Sequence, residues 1–470
     1  MKILLINPPQ GKIIDSSLPK ILIEKGDPMP PLGLMYLASY LQKNSHHQVE
    51  IAGCLVENLN HCDLEEKIIQ AKPDVIGITA MTFTLLDVIQ TIQTAKKIDP
   101  GIKIVIGGPH AHLYPKETLG LEGVDFVIKG EGEIPFFNLL KALEENSDLS
   151  SIDGLVFKKN GQIIDNPVGK LIQNLDELPF PARHLLPYKN YGSVLAKRFP
   201  VTTMFTSRGC PFKCIFCDRP HLGSAFRARS AKNVVDEMAE CQKMGIKEIF
   251  IYDDTFAVNR QRVVDICSEI VGQNLDITWD VRTRVDTVDE ELLKIMKQAG
   301  CQRIHFGVEA GTEKILKILR KGITLEQVRK AFQSAKKNGI ETLAYFIIGS
   351  PQETKKDILE TIKLAKKLNP DYAHFTIMTP YPGTDLYRLG LETKVLPCDY
   401  WQKFAENPNH NFSPPFWEEI LTHEELIELI KKAYHSFYFS PAYILKRILR
   451  LKSWSEFKVK LKAGFDILKI

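Results

Sequence analysis

The stretch "SRGCPFKCIFCDRP", residues 207–220, sets Cys210, Cys214 and Cys217 in the spacing C-x3-C-x2-C, and its reading decides the fold. Three thiolates are one short of the closed set that structural zinc requires, and catalytic zinc favours histidine among its ligands. His221 is the only close histidine, and no Cys or His pair stands nearby at zinc spacing. An iron–sulfur cube takes one protein ligand per iron and suits thiolates. Three cysteines would then leave one iron open to a small molecule. The run "VTTMFTS" (201–207) reads as a strand, which sets the cysteines at its carboxyl end.

Downstream, strand patterns alternate with helical ones. The strands are "IKEIFIYDD" (246–254), "ITWDVRTR" (277–284), "QRIHFGVEAG" (302–311), "TLAYFIIGSPQET" (342–354) and "YAHFTIMTPYPGT" (372–384). With the first they make six parallel strands, a partial (β/α)6 barrel of the TIM type over 196–385. Active residues of such barrels lie at the carboxyl ends of the strands. Those ends carry Asp253 and Asp254, Arg282 and Arg284, Glu309, and Gly349 with Glu353.

Upstream, "KILLIN" (2–7), "VEIAG" (49–53), "DVIGITA" (74–80), "IKIVIGG" (102–108) and "VDFVIKG" (124–130) read as strands separated by helices such as "LGLMYLASYLQK" (32–43). This alternation predicts a doubly wound, Rossmann-like parallel sheet over 1–145. Ligands bind such sheets outside the carboxyl ends of the strands. The residues there are Asn7, Pro8 and Pro9; Thr79, Met81 and Thr82; Gly107, Gly108, Pro109 and His110; and Gly130, Glu131, Gly132 and Glu133. The first turn lacks G-x-G-x-x-G, which argues against NAD or FAD. Residues 146–195 are expected to form a linker, with a small hairpin around Asn160-Gly161 and a proline-rich strap. Residues 386–470 are expected to form a helical region.

The pieces "INPP…PPLGLMYLASYL", "GITAMTF" and "GGPHAHLYPKETL…VDFVIKGEGE" resemble the cobalamin-binding domain of cobalamin-dependent radical S-adenosylmethionine enzymes. The cysteine spacing, with Phe216 just before the last Cys, resembles the same superfamily. The resemblance implies a 4Fe-4S cluster on Cys210, Cys214 and Cys217, with S-adenosylmethionine chelating the open iron. It implies adenine held near Phe216 and at the Gly349 and Glu353 segment, the amino group at Asp253 or Asp254, and the ribose at Glu309. Arg282 or Arg284 would face the carboxylate or the substrate. The segment "GSPQE" departs from the commoner form with a second glycine. D-x-H-x-x-G is absent, so the corrinoid is expected base-off with no protein histidine ligand, and His110 and His112 read as turn or surface residues. The implied activity is radical hydrogen abstraction from an unactivated carbon followed by methyl transfer from methylcobalamin. The alternatives are oxidative ring formation within the same family and, from another class, a non-catalytic corrinoid carrier or sensor. A methylthiotransferase would need three more cysteines near the N-terminus, where only Cys54 and Cys62 stand.

Net charge is only +4, and no nucleic-acid partner is expected. The six cysteines outside the cluster read as free thiols of a cytoplasmic chain. The partners implied are a small-molecule substrate, lipid or tetrapyrrole, and an electron donor such as flavodoxin or ferredoxin. From Lys431 onward, ten Lys or Arg face only Glu456 and Asp466. Tyr443, Ile444, Ile448 and Leu451 could form one apolar stripe there. The expectation is a helical cap on the barrel; the sharper alternative is a basic amphipathic surface that meets a membrane peripherally. The tail "AYHSFYFSPAYILKRIL" resembles the branch with anaerobic magnesium-protoporphyrin monomethyl ester cyclase and hopanoid-tailoring enzymes.

Overall fold

A computed structural model describes residues 1–14, 29–218 and 223–448. Five parallel strands open the chain: β1 (Lys2–Asn7), β2 (Gln48–Gly53), β3 (Val75–Thr79), β4 (Lys103–Gly107) and β5 (Phe126–Ile128). Strand alternation points Ile3 and Leu5 to one face of β1, and Leu4 and Ile6 to the other. The first pair packs on Leu34, Met35 and Leu41 of helix Leu32–Asn44. The second packs on Ile68 of helix His61–Ala71 and Val88 of helix Leu85–Ile98. A run apolar on both faces can only sit between two helical layers, which is why it forms a covered parallel sheet.

The strand order begins β2-β1-β3-β4-β5. The order reverses between β1 and β3, so a crevice opens outside Asn7 and Thr79. β6 (Leu155–Lys159) and β7 (Gln162–Asp165) are the hairpin around Asn160-Gly161, both residues with positive φ. It pairs antiparallel with β5, Phe126 opposite Phe157, and so completes the first sheet. The strap after it is tied to the barrel by the buried Arg183. That guanidinium donates to Thr202 Oγ1 (3.1 Å), to the Thr203 carbonyl (2.9 Å) and to Glu237 (2.5 Å). Arg229 donates to the other Glu237 oxygen.

The second sheet holds β8 (Val201–Met204), β11 (Glu248–Ile251), β12 (Thr278–Thr283), β13 (Cys301–Glu309), β14 (Glu341–Ile348) and β15 (Tyr372–Ile377). All neighbours are parallel and consecutive along the chain, from β8 at one edge to β15 at the other. Two short strands, β9 (Ser207–Arg208) and β10 (Arg227–Ala228), pair antiparallel beside the cysteine loop. Helix His423–Tyr438 packs against β15, where Tyr434 Oη donates to the Phe375 carbonyl (3.0 Å). In the last described helix, Pro441–Ile448, Tyr443 is buried and donates to the Asp371 carbonyl, while Ile444 and Leu445 are exposed. The remainder of the basic tail, with Leu451, lies outside the described residues, as does His221.

Candidate functional site

The cysteine loop follows β9 at the carboxyl mouth of the barrel. Its backbone is pinned twice: Ile215 N–H donates to the Leu319 carbonyl (3.2 Å), and Leu386 N–H donates to the Ile215 carbonyl (2.8 Å). Cys217 is exposed, Cys210 is half-buried with Sγ 3.8 Å from Thr255 Oγ1, and Cys214 is buried. Burial pushes the Cys214 thiol up, and the positive charges of Lys321 and Arg284 pull it back. Among the described residues no three His, Cys, Asp or Glu side chains converge on a single ion-sized point. A multi-iron cluster needs no such convergence, since each iron takes its own thiolate. The donor set therefore fits an iron–sulfur cube.

The sequence-expected barrel residues divide by what they touch. Asp253 is 1% exposed and wholly engaged inside the protein. Its carboxylate accepts from Thr206 N–H (2.6 Å), Ser207 N–H (3.1 Å) and both hydroxyls, so it holds the strand end that carries the cysteine loop. Asp254 is exposed. Arg284 stacks its guanidinium over the Phe212 ring of the cysteine loop, 3.8 Å from the centroid, and makes a forked pair with Asp286. Arg282 stacks on Tyr252, also at 3.8 Å. Glu309 adopts φ +69 at an irregularity of β13 and accepts from Lys321 Nζ at 2.6 Å. A non-glycine residue held in the left-handed region at a strand end marks a constrained site. Gly307 makes room for this pair: a Cβ there would lie 2.5 Å from Glu309 Oε1 and 2.8 Å from Lys321 Nζ.

Phe216 packs on the barrel core. Gly349 has φ +78, and a Cβ on it would lie 2.8 Å from Leu426 of the helix that packs there. The packing of the C-terminal helix thus gives Gly349 a structural reason. Glu353 is 1% exposed, accepts from Ser350 N–H (2.9 Å), and is pushed up to about 7, chiefly by burial.

In the first sheet, Asn7, Thr79 and Gly107 end adjacent strands on one edge. Pro8, Pro9 and Thr82 are buried and Met81 is 47% exposed. Among the described residues, a side chain at Gly107 would meet only the Ile128 carbonyl, 3.9 Å away, so they leave space over this strand end. Gly108 has φ +98, and a Cβ would strike the Ala80 carbonyl at 2.9 Å. Open strand ends beside a crevice fit a large planar ligand. His110, after Pro109, is 1% exposed, its Nδ1 3.1 Å from Thr82 Oγ1, and burial pulls it down to about 4. His112 Nδ1 accepts from Gly130 N–H (3.2 Å). Gly132 precedes helix Glu133–Glu145, against Leu37.

Glu131 and Glu133 are turned toward the barrel. Arg208 donates to Glu131 (2.8 Å) and to Glu133 (2.6 Å), and Arg227 donates to Glu131 (3.0 Å). Arg208 and Arg227, like Lys321, escape sequence reading: their partners are 12 to 96 residues away, so no local spacing marks them. Further contacts join the same two edges. The Phe83 ring meets Tyr381 at 5.9 Å and Trp401 at 5.8 Å, and Leu113 fills the space over Gly383. The carboxyl edge of the first sheet therefore faces the carboxyl mouth of the barrel.

Two protein families match separate parts of the chain. The radical SAM superfamily matches residues 204–365, and the B12 binding domain matches 20–140. An uncharacterized methyltransferase of Pyrococcus horikoshii is 39% identical over 95% of either chain. The anaerobic magnesium-protoporphyrin IX monomethyl ester cyclase of Rubrivivax gelatinosus is 30% identical, over 93% of this chain and 80% of its own. Among solved structures, the cobalamin-dependent S-adenosylmethionine radical enzyme OxsB superposes with TM-score 0.77 at 19% identity, over 100% of this chain and 71% of its own.

Proposed function

The chain belongs to the cobalamin-dependent radical S-adenosylmethionine enzymes, and from that membership we propose that it transfers a methyl group to an unactivated carbon of a small molecule. The observation that carries this reading is the apposition of two ligand edges, the cysteine loop with its barrel mouth and the crevice of the first sheet. A substrate between them would meet both cofactors at once.

When bound, the cluster supplies the electron that cleaves S-adenosylmethionine to methionine and a hydrogen-abstracting 5′-deoxyadenosyl radical, and the cobalamin supplies the methyl group. The residues of the chain position these groups. Cys210, Cys214 and Cys217 would hold three irons, and Lys321 and Arg284 would offset the thiolate charge. Asp253 fixes the strand end from which the loop leaves, leaving Asp254 as the carboxylate nearer solvent for the amino group. Glu309, held by Lys321, is placed for the ribose, and Phe216 with the Gly349 to Glu353 segment for the adenine. The strand ends from Asn7 to Gly130 would hold the corrinoid base-off. His110 is enclosed, and His112 accepts at Nδ1, so its neutral ring carries the proton on Nε2 and cannot offer that nitrogen to cobalt. We assign 1–145 to the corrinoid, 146–195 to the connection, 196–385 to the barrel and 386–470 to the cap.

A tetrapyrrole substrate suits the similarity to the cyclase, a lipid substrate remains its alternative, and the electron donor is proposed to be a flavodoxin or ferredoxin. No described helix is long and apolar enough to cross a membrane. Peripheral contact through the basic tail is compatible with that and is tested by liposome flotation against a truncation at Ser440.

The test is anaerobic reconstitution with iron, sulfide and hydroxocobalamin, followed by labelled S-adenosylmethionine and tetrapyrrole or lipid extracts. A base-off corrinoid spectrum is expected, with S-adenosylhomocysteine and 5′-deoxyadenosine both formed and both lost in Cys214→Ala. Failure to take up a corrinoid, or unchanged cleavage in Cys214→Ala, overturns the reading. The similarity to the cyclase favours a second reading, oxidative ring formation, for which 5′-deoxyadenosine would appear without S-adenosylhomocysteine.

A further inference from the structure

The barrel interior holds a cation that is in no ion pair among the described residues. Alternation turns Arg282 of β12, Tyr345 and Ile347 of β14, and His374 and Thr376 of β15 inward. Each is only half-buried, while the outward neighbours Val281, Ala344, Phe346, Ala373 and Phe375 are buried. Tyr345 stands in register with Gly307 on one side and His374 on the other, and the glycine fills little of the lumen.

The other cations of this interior are paired. Arg303 closes the floor with Asp280 (3.0 Å) and Glu341 (3.4 Å). Arg284 is matched by Asp286 (2.8 Å), and Lys321 by Glu309 (2.6 Å). Among the described residues Arg282 is in no ion pair. Asp280, which acts on it from farther off, is taken by Arg303. Arg282 instead lies over the face of Tyr252, 3.8 Å from its centroid, with Tyr345 close by. Tyr345 is itself fixed, its hydroxyl 3.0 Å from His305 Nδ1. A stacked guanidinium is held flat with donors directed along its edge, the arrangement that receives a carboxylate or phosphate in two parallel bonds.

The two neighbouring arginines divide the barrel. Arg284 stacks on Phe212 and acts on Cys214, so it belongs to the side where the cluster would bind. Arg282 does neither. We propose that Arg282, framed by Tyr252 and Tyr345, is the subsite for an anionic group, carboxylate or phosphate, carried by the substrate and not by S-adenosylmethionine. This rests on the proposed function, since it assigns a substrate to that barrel.

The experiment is phenylglyoxal labelling of arginines in the reconstituted full-length protein, mapped by mass spectrometry, with exposed Arg329 as reference. Arg282 is expected to label, and inorganic phosphate or glutarate at about nine times its dissociation constant should slow its labelling about tenfold, as the unoccupied fraction requires. The stronger protector of the two distinguishes a phosphate-bearing from a carboxylate-bearing substrate. S-adenosylmethionine alone should leave it unprotected. No labelling at Arg282, no protection by either anion, or protection by S-adenosylmethionine overturns the assignment. Formation of 5′-deoxyadenosine by the same preparation reports separately on the proposed function.

Discussion

Single residues set the local chemistry of both edges. Glu353 illustrates how burial can dominate the shift of a group. Its carboxyl is pushed from 4.5 to about 7, chiefly by desolvation. Between those values the folded protein binds more protons than the unfolded chain, so this group weakens stability as pH rises through that window and adds no further slope above about 7. Glutamine copies the neutral acid. The thermal midpoint of Glu353→Gln should therefore gain on the parent more at about pH 8 than at about pH 5. An equal difference at both would refute this. Gly108 is a steric case, because φ +98 and a Cβ 2.9 Å from the Ala80 carbonyl leave no room for a side chain. Gly108→Ala should lose about 1–3 kcal/mol in denaturant titration and take up less corrinoid, whereas an unchanged midpoint would show that this turn relaxes freely.

At the scale of elements, strand ends are tied together before any ligand binds. Asp253, just after β11, accepts four hydrogen bonds from Thr206 and Ser207, which follow β8. This joins the end of one strand to the root of the cysteine loop. An asparagine keeps the shape but brings two donors of its own toward two hydroxyls and two amides. Asp253→Asn should cost about 1–3 kcal/mol and reduce the iron retained per chain. Asp254→Asn, at the exposed neighbour, should keep its iron content. Equal iron loss in the two variants would show that Asp253 does not position the loop.

For the whole molecule, the decisive feature is how the two sheets are held mouth to mouth. Arg208 and Arg227 from the barrel meet Glu131 and Glu133 from the first sheet, all nearly buried. Removing one partner of such a cluster strands a charge in a poor solvent, at about 3–5 kcal/mol. Arg208→Leu should lower the unfolding midpoint and expose the strap between the sheets to limited proteolysis. A variant as protease-resistant as the parent would show that the ring contacts around Phe83 and Trp401 suffice.

Much of this was legible in the residues themselves. Apolar runs without polar alternation specified covered parallel strands, and C-x3-C-x2-C at a strand end specified a three-thiolate loop, because both signals are local. Asn160-Gly161 announced its hairpin for the same reason, but not that β6 would pair with β5 and finish the first sheet. The sequence could nominate Glu131, Glu133, Asp253 and Arg282 as polar groups at strand ends, and could not say what each would touch. Only the tertiary structure turns the first two toward Arg208 and Arg227, commits Asp253 to the amides and hydroxyls of Thr206 and Ser207, and leaves Arg282 facing the lumen on a tyrosine. The reason is physical: strand periodicity repeats over two residues and can be read along the chain, whereas the pairing of buried charges depends on contacts between segments up to 96 residues apart, which form only when both sheets have folded and met.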